Sequence, residues 1–168
     1  MKNKTLLIAE AGVNHNGKFK VAKKMVDVAA SCGADFVKFQ IFKTNKLVVP
    51  NAPKAKYQKL NTLLKKKENQ FDMLKKYELT FDEHHKLIKH CKKKKINYLG
   101  SVFDLESLNF IKKYSNFIKI PSGEITNLNL LKNIRSRKVK VILSTGASTF
   151  FEVKRALKIL LQNKINKK

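Results

Sequence analysis

Lys38 and Lys119 each stand inside an apolar run, FVKFQ and FIKIPS. An ammonium in such a run is costly unless it meets an anion, so the pair points to a phosphate or carboxylate ligand. A Schiff-base lysine is a rival chemical role, and a lysine simply paired with a nearby glutamate is the structural one. Acids are scarce, 12 against 37 basic residues, which makes Glu10 and Glu124 conspicuous where each closes an apolar or glycine-flanked segment. A carboxylate so placed can hold sugar hydroxyls or act as a general base, or it can pair with a neighbouring lysine. Hydroxyls recur in the same kind of position at Ser101, Ser122 and Ser144, and Gln40, Phe103 and Asp104 accompany them.

These residues share a place because of the elements that must carry them. Thr5–Ala9, Asp35–Phe42, Ile96–Phe103, Asn116–Ile120 and Val139–Ser144 read as short buried strands, each ending where such residues begin. Between them, Phe19–Cys32, Asn127–Arg135 and Thr149–Asn163 read as helices. Gly33 suits the C-terminal cap of the first. Thr80, with Glu83 three residues on, reads as a capping box opening a helix to about Lys94 with Leu87, Ile88 and Cys91 on one face. Asp104 reads as the cap of a helix through Tyr114. Lys43–Lys67, with Pro50 and Pro53, has no clean period and is expected to be a long excursion, followed by a short helix near Gln70–Lys76. Strands alternating with helices imply a parallel sheet with right-handed crossovers. No G-x-G-x-x-G or phosphate loop follows the first strand, so the expected fold is α/β of the TIM (β/α)8 barrel kind, incomplete, with about the first five units. In such a barrel the strand C-termini carry the chemistry.

Composition narrows the function classes. A net charge of +25 suggests nucleic acid, but only Arg135, Arg137 and Arg155 are arginine and the lysines are spread along the chain. Base and phosphate readers favour arginine forks, so nucleic-acid binding is a lesser reading. Cys32 and Cys91 form no C-x-x-C pair and read as reduced thiols. His84, His85 and His90 lack the i, i+4 spacing of a metal pair and read as satisfied helix residues. His15, in the loop after the first strand, stays open between a site role and a structural one. No apolar run is long enough to span a bilayer, and Leu6–Ala9 is too short for a secretory signal, so the cytoplasm is the expected compartment.

Six blocks in order carry a resemblance: IAEAGVNHNG (Ile8–Gly17), GADFVKFQ (Gly33–Gln40), NAPKAKYQ (Asn51–Gln58), FDLES (Phe103–Ser107), KIPSGEITNLNLL (Lys119–Leu131) and ILSTGAS (Ile142–Ser148). The chain resembles the sialic acid synthase family, which includes N-acetylneuraminate and legionaminic acid synthases and related spore-coat polysaccharide proteins. The resemblance implies condensation of phosphoenolpyruvate with an N-acetylated sugar aldehyde such as N-acetylmannosamine, giving a nine-carbon 2-keto acid and phosphate. It implies that Lys38, Ser101, Lys119, Ser122 and Ser144 hold phosphoenolpyruvate, that Gln40 and Glu124 address the sugar, that Phe103 belongs to the substrate-binding set, and that Glu10 faces the reacting centre. It further implies a divalent cation, manganese or magnesium, whose histidine ligands belong to later strands than these five. It implies a dimer as well, with a C-terminal antifreeze-like domain that is not expected within residues 1–168. The chain departs from the family pattern at Ser101-Val102, where Thr-Pro is usual. On this reading residues 1–168 are the N-terminal part of a synthase barrel, expected to be inactive alone. A half-barrel that binds a full-length relative or a sugar phosphate is the alternative.

Overall fold

The computed structural model describes residues 5–53, 69–136, 138–146 and 148–165. Strands and helices alternate as β1 (Ile8–Gly12), α1 (Phe19–Ser31), β2 (Phe36–Ile41), α2 (Thr44–Leu47), α3 (Gln70–Tyr77), α4 (Phe81–Lys93), β3 (Asn97–Val102), α5 (Leu105–Ile111), β4 (Phe117–Ile120), a 3-10 turn (Ser122–Glu124), α6 (Leu128–Asn133), β5 (Lys140–Leu143) and α7 (Phe150–Gln162). The described strands form one five-stranded sheet in the order β1-β2-β3-β4-β5, every pair parallel.

Local chemistry accounts for the helix ends. Thr80 and Thr149 each accept a hydrogen bond from the backbone N–H three residues on, while Glu83 and Glu152 bond back, so both are complete capping boxes. At the end of α1, Gly33 takes φ +74°, with its N–H on Ala30 and that of Ala34 on Ala29. This is a Schellman ending, whose left-handed residue is most often glycine, although Lys95 and Lys164 end α4 and α7 in the same conformation.

Side chains alternate across the sheet. One face turns Val37, Phe39, Ile41, Tyr98, Val102, Ile118 and Ile120 into the helix layer, where they join the core with Leu87, Cys91, Leu108 and Leu131. The other face carries the polar set. Gly100 lies on the helix-facing side. A Cβ there would come within 2.6 Å of Ile41 Cδ1 and 3.1 Å of Ile111 Cγ1, so its absence lets α5 close on the sheet.

The first strand differs from expectation. It runs Ile8–Gly12 and not Thr5–Ala9. Leu6 and Leu7 are apolar yet exposed and lie before the strand, while Glu10 lies within the ladder, opposite Lys38. The excursion expected over Lys43–Lys67 falls largely outside the described residues. Its described beginning folds into α2, which the sequence did not announce.

Within the helix layer His84 is buried and hydrogen-bonded to the Tyr98 hydroxyl at 2.7 Å. Burial pushes its pKa down to about 3, with His15 and Lys43 adding in the same direction. The unfolded chain therefore binds a proton at His84 that the fold does not, between an unfolded value of roughly 6.5 and 3. Stability is expected to fall with pH through that window, by up to about 1.4 kcal/mol per unit. In His84→Gln the acid-unfolding midpoint, followed by circular dichroism, should move to lower pH. An unmoved midpoint would remove His84 as the cause.

Candidate functional site

The C-terminal ends of the five strands gather the polar set on the face away from the helices. β2 presents Lys38 and Gln40. Lys38 is in register with Glu10 of β1 and Leu99 of β3, and Gln40 with Ser101, which is in turn level with Lys119 and Ile142. A parallel ladder places such partners side by side on the same face.

Two contacts organise this face. Lys38 is buried, and its Nζ lies 2.6 Å from Glu10 Oε2, a carboxylate more than half exposed. Lys119 Nζ donates to Ser144 Oγ at 2.5 Å and to the Ile120 carbonyl at 3.1 Å. No carboxylate pairs with Lys119 among the described residues. Burial lowers its pKa and the nearby Lys38 ammonium adds to this, while Glu10 opposes it. The face therefore holds two cations and offsets one of them. Between them the Ser101 hydroxyl is buried and has no hydrogen-bond partner among the described residues. A buried hydroxyl without a partner, level with an ammonium that no described carboxylate offsets, is donor chemistry suited to an anion.

The remaining sequence candidates form the rim. Ser122 opens the 3-10 turn and Glu124 closes it. Glu124 accepts from Asn127 Nδ2 at 2.7 Å, yet burial raises its pKa, and Asp104 raises it further. Phe103 lies at the β3 exit, edge-on to Phe42 with ring centroids 6.0 Å apart. The structure thus joins Glu10 to Lys38 and Lys119 to Ser144, sets Gln40 and Ser101 level with Lys119, and places Phe103 and Glu124 at the edge.

His15 stands elsewhere. It is buried on the helix-facing side, 6.0 Å ring to ring from Phe39, with Nδ1 accepting the Gly17 N–H at 3.0 Å. Of the two roles left open for it, this position fits the structural one. His84, His85 and His90 meet Tyr98, Tyr114 and Asp27, as satisfied helix residues do. Among the described residues no three His, Cys, Asp or Glu side chains converge to hold a metal ion. No described helix is long and apolar enough to cross a membrane.

Glu78 and Thr44 carry no signal in the sequence. Glu78 Oε2 accepts from both the backbone N–H and the hydroxyl of Thr44, at 3.0 and 2.7 Å, across 34 residues. A contact of that span has no local signature.

A parallel strand–helix alternation with ammonium and hydroxyl donors at its strand ends defines an α/β domain whose strand-end face is polar and cationic. The chain belongs to the NeuB family, whose model matches residues 25–168. It is 48% identical over 161 residues to the N,N'-diacetyllegionaminic acid synthase of Campylobacter jejuni, covering 95% of this chain and 48% of that protein. It is 41% identical over 152 residues to the synthase of the same name from Legionella pneumophila, covering 90% and 42%. The crystal structure of an N-acetylneuraminic acid synthetase from Leptospira borgpetersenii superposes with a TM-score of 0.76 at 28% identity, covering 98% of this chain and 55% of that one. The chain spans about half the length of the curated relatives it matches.

Proposed function

We propose that residues 1–168 form the first five units of a (β/α)8 barrel and carry the phosphoenolpyruvate-binding part of a synthase site. The acceptor is an N-acetylated sugar aldehyde and the product a nine-carbon 2-keto sugar acid for surface polysaccharide. The observation that carries this reading is the unpaired Lys119 ammonium beside the orphan Ser101 hydroxyl at the strand ends.

On this reading Lys119, Ser144, Ser101, Ser122 and Lys38 take the phosphate and carboxylate of phosphoenolpyruvate. Fixing the enol ester orients C3 toward the sugar carbonyl. C3 attacks the aldehyde carbon, water adds at C2, and phosphate leaves. Gln40, Phe103 and Glu124 face the sugar from the rim. Glu124, with its raised pKa, can hold a proton and donate it to a sugar or alkoxide oxygen. Glu10 balances Lys38 near the reacting centre. Both Lys119 contacts are acceptors, which suit an ammonium holding an anion better than a neutral amine forming a Schiff base. The divalent cation implied by the family finds no ligand set among the described residues.

The test is calorimetric titration of the chain with phosphoenolpyruvate. Saturable binding that Lys119→Met weakens roughly thirtyfold or more is expected. No phosphoenolpyruvate binding, with salt-dependent RNA binding untouched in Lys38→Ala and Lys119→Ala, would sink the reading in favour of surface charge.

The second part of the proposal, barrel closure, is favoured by an apolar groove of about 480 Å³ between β1 and α1, lined by Leu7, Ala9, Val21, Met25 and Val28, with Cys32 at its wall. Among the described residues β1 pairs with β2 alone and β5 with β4 alone, so both edges are open to further parallel strands. Cys32 is exposed, whereas Cys91 is buried and its thiol is pushed up to about 12. One thiol therefore reports on the groove. Mixing the chain with the remaining half of the Campylobacter relative should slow Cys32 alkylation at least tenfold, read by mass spectrometry. A stable complex with Cys32 still reactive would count against closure at this edge.

A further inference from the structure

We infer that Glu78 and Asp104 are a pair of positioning residues that pin the exit of β2, and with it Gln40, to the neighbouring elements of the site. The inference rests on the functional reading above for its purpose, but its geometry stands alone. Where β2 leaves the sheet, two consecutive backbone N–H groups lose their ladder partners. Asp104 Oδ2 accepts from Lys43 N at 2.9 Å, and Glu78 Oε2 accepts from Thr44 N at 3.0 Å. These donors begin α2, whose four residues supply them with no partner of their own.

Both carboxylates are buried, each less than a tenth exposed, in a chain with only 12 acids. Each is saturated from another element. Asp104 also caps α5, taking Ser107 N at 2.8 Å and Ser107 Oγ at 2.7 Å. Glu78 takes the Thr44 hydroxyl at 2.7 Å and Lys75 Nζ at 3.2 Å, with Lys43 Nζ at 3.5 Å from its other oxygen. The Lys43 ammonium in turn lies 4.3 Å from the centre of the Phe81 ring. Burial works to raise the Glu78 pKa, and the Thr44 and Lys75 hydrogen bonds outweigh it, keeping the group ionised.

The arrangement exceeds what helix capping requires. Asp104 belongs to the β3 exit and Glu78 to the junction of α3 and α4, so the β2 exit is tied to both flanks at once. Gln40 lies three residues before the first pinned amide and is level with Ser101 and Lys119. A shift of about 1 Å at a substrate-positioning residue can cost roughly a hundredfold in rate.

Asp104→Asn separates the two duties. Asn caps a helix as well as Asp does, but its single carbonyl oxygen cannot serve both Ser107 N and Lys43 N. Glu78→Gln retains an oxygen for Thr44, whereas Glu78→Ala does not. The measurements are amide hydrogen exchange and ¹⁵N shifts on the whole chain, with phosphoenolpyruvate affinity alongside. Slow exchange at Lys43 and Thr44 is expected in the unaltered protein and at Thr44 in Glu78→Gln. In Asp104→Asn and Glu78→Ala the pinned amide should exchange at least tenfold faster, the Gln40 side-chain amide should shift, and affinity should fall several-fold. Thr149→Ala removes a cap at the far helix and serves as the stability control. Unshifted Gln40 signals in both variants, or a shift equalled by Thr149→Ala, would overturn the inference. Binding of phosphoenolpyruvate by no form of the chain would defeat the functional reading instead, and the exchange and Gln40 signals would still decide the clamp.

Discussion

Lys119→Met is expected to weaken phosphoenolpyruvate binding by about 2–5 kcal/mol, roughly thirtyfold or more, with no loss of thermal stability. The two lysines looked equivalent from their apolar runs, but their surroundings differ. Lys38 is offset by Glu10 at 2.6 Å, while Lys119 meets a hydroxyl and a carbonyl. Lys119 therefore supplies the net positive charge of the polar face. Glu10→Gln should act with the opposite sign, because it frees Lys38 and should tighten binding of the anion.

The stability half of this prediction follows from the sign of the Lys119 shift. Burial and the neighbouring Lys38 ammonium hold its folded pKa below the ordinary lysine value. The fold disfavours the charged form, so at neutral pH the ammonium costs stability instead of supplying it. That cost is relieved as pH rises from the folded pKa to the ordinary lysine value, and binding of an anion should decline as pH passes the folded pKa. A melting curve and a titration series in pH check both parts. A variant that melts earlier than the unaltered protein while keeping its affinity would show that Lys119 is a structural lysine.

The order of elements was legible because each carries its own punctuation. Thr80 with Glu83, Thr149 with Glu152, and Gly33 after α1 all cap as their residue types dictate. The strand-end residues were legible for a related reason: a lysine or serine inside an apolar strand needs an explanation that the strand cannot give. What the sequence hid is contact over distance. A lysine–glutamate pair is one reading the residue types allow at Lys38 and Glu10, and the structure forms it; but which residues pair, like the clamp of Glu78 and Asp104 on the β2 exit, depends on which strands adjoin, and no spacing reports that. The β1 boundary falls later than hydrophobicity implies because Leu6 and Leu7 are apolar yet exposed beside an open edge, where hydrophobicity marks a surface and not a strand. His15 sits among polar neighbours in the chain but turns to the helix layer, since the sharp loop after β1 sends its ring back against Phe39.

Gly17→Ala is expected to destabilise the fold by about 3 kcal/mol, more than any other glycine-to-alanine change near the site. Gly17 has φ +70°, where an L side chain is strained, and a Cβ there would lie 1.9 Å from the Lys76 carbonyl oxygen. The clashing atom is backbone of α3, so no rotamer change relieves it, and either the loop or the helix must move. The same loop holds the Gly17 N–H that fixes the His15 ring, so its displacement should also disturb the adjoining exit of β1. Gly123 and Gly146 lie near the same polar rim, but a Cβ at either meets nothing within 4 Å and neither has positive φ. Their alanine variants should melt like the unaltered chain. Denaturant unfolding of the three variants separates the causes: a loss confined to Gly17→Ala assigns it to the seat against α3, whereas equal losses at all three would mean that loop flexibility, and not close approach, is what these glycines supply.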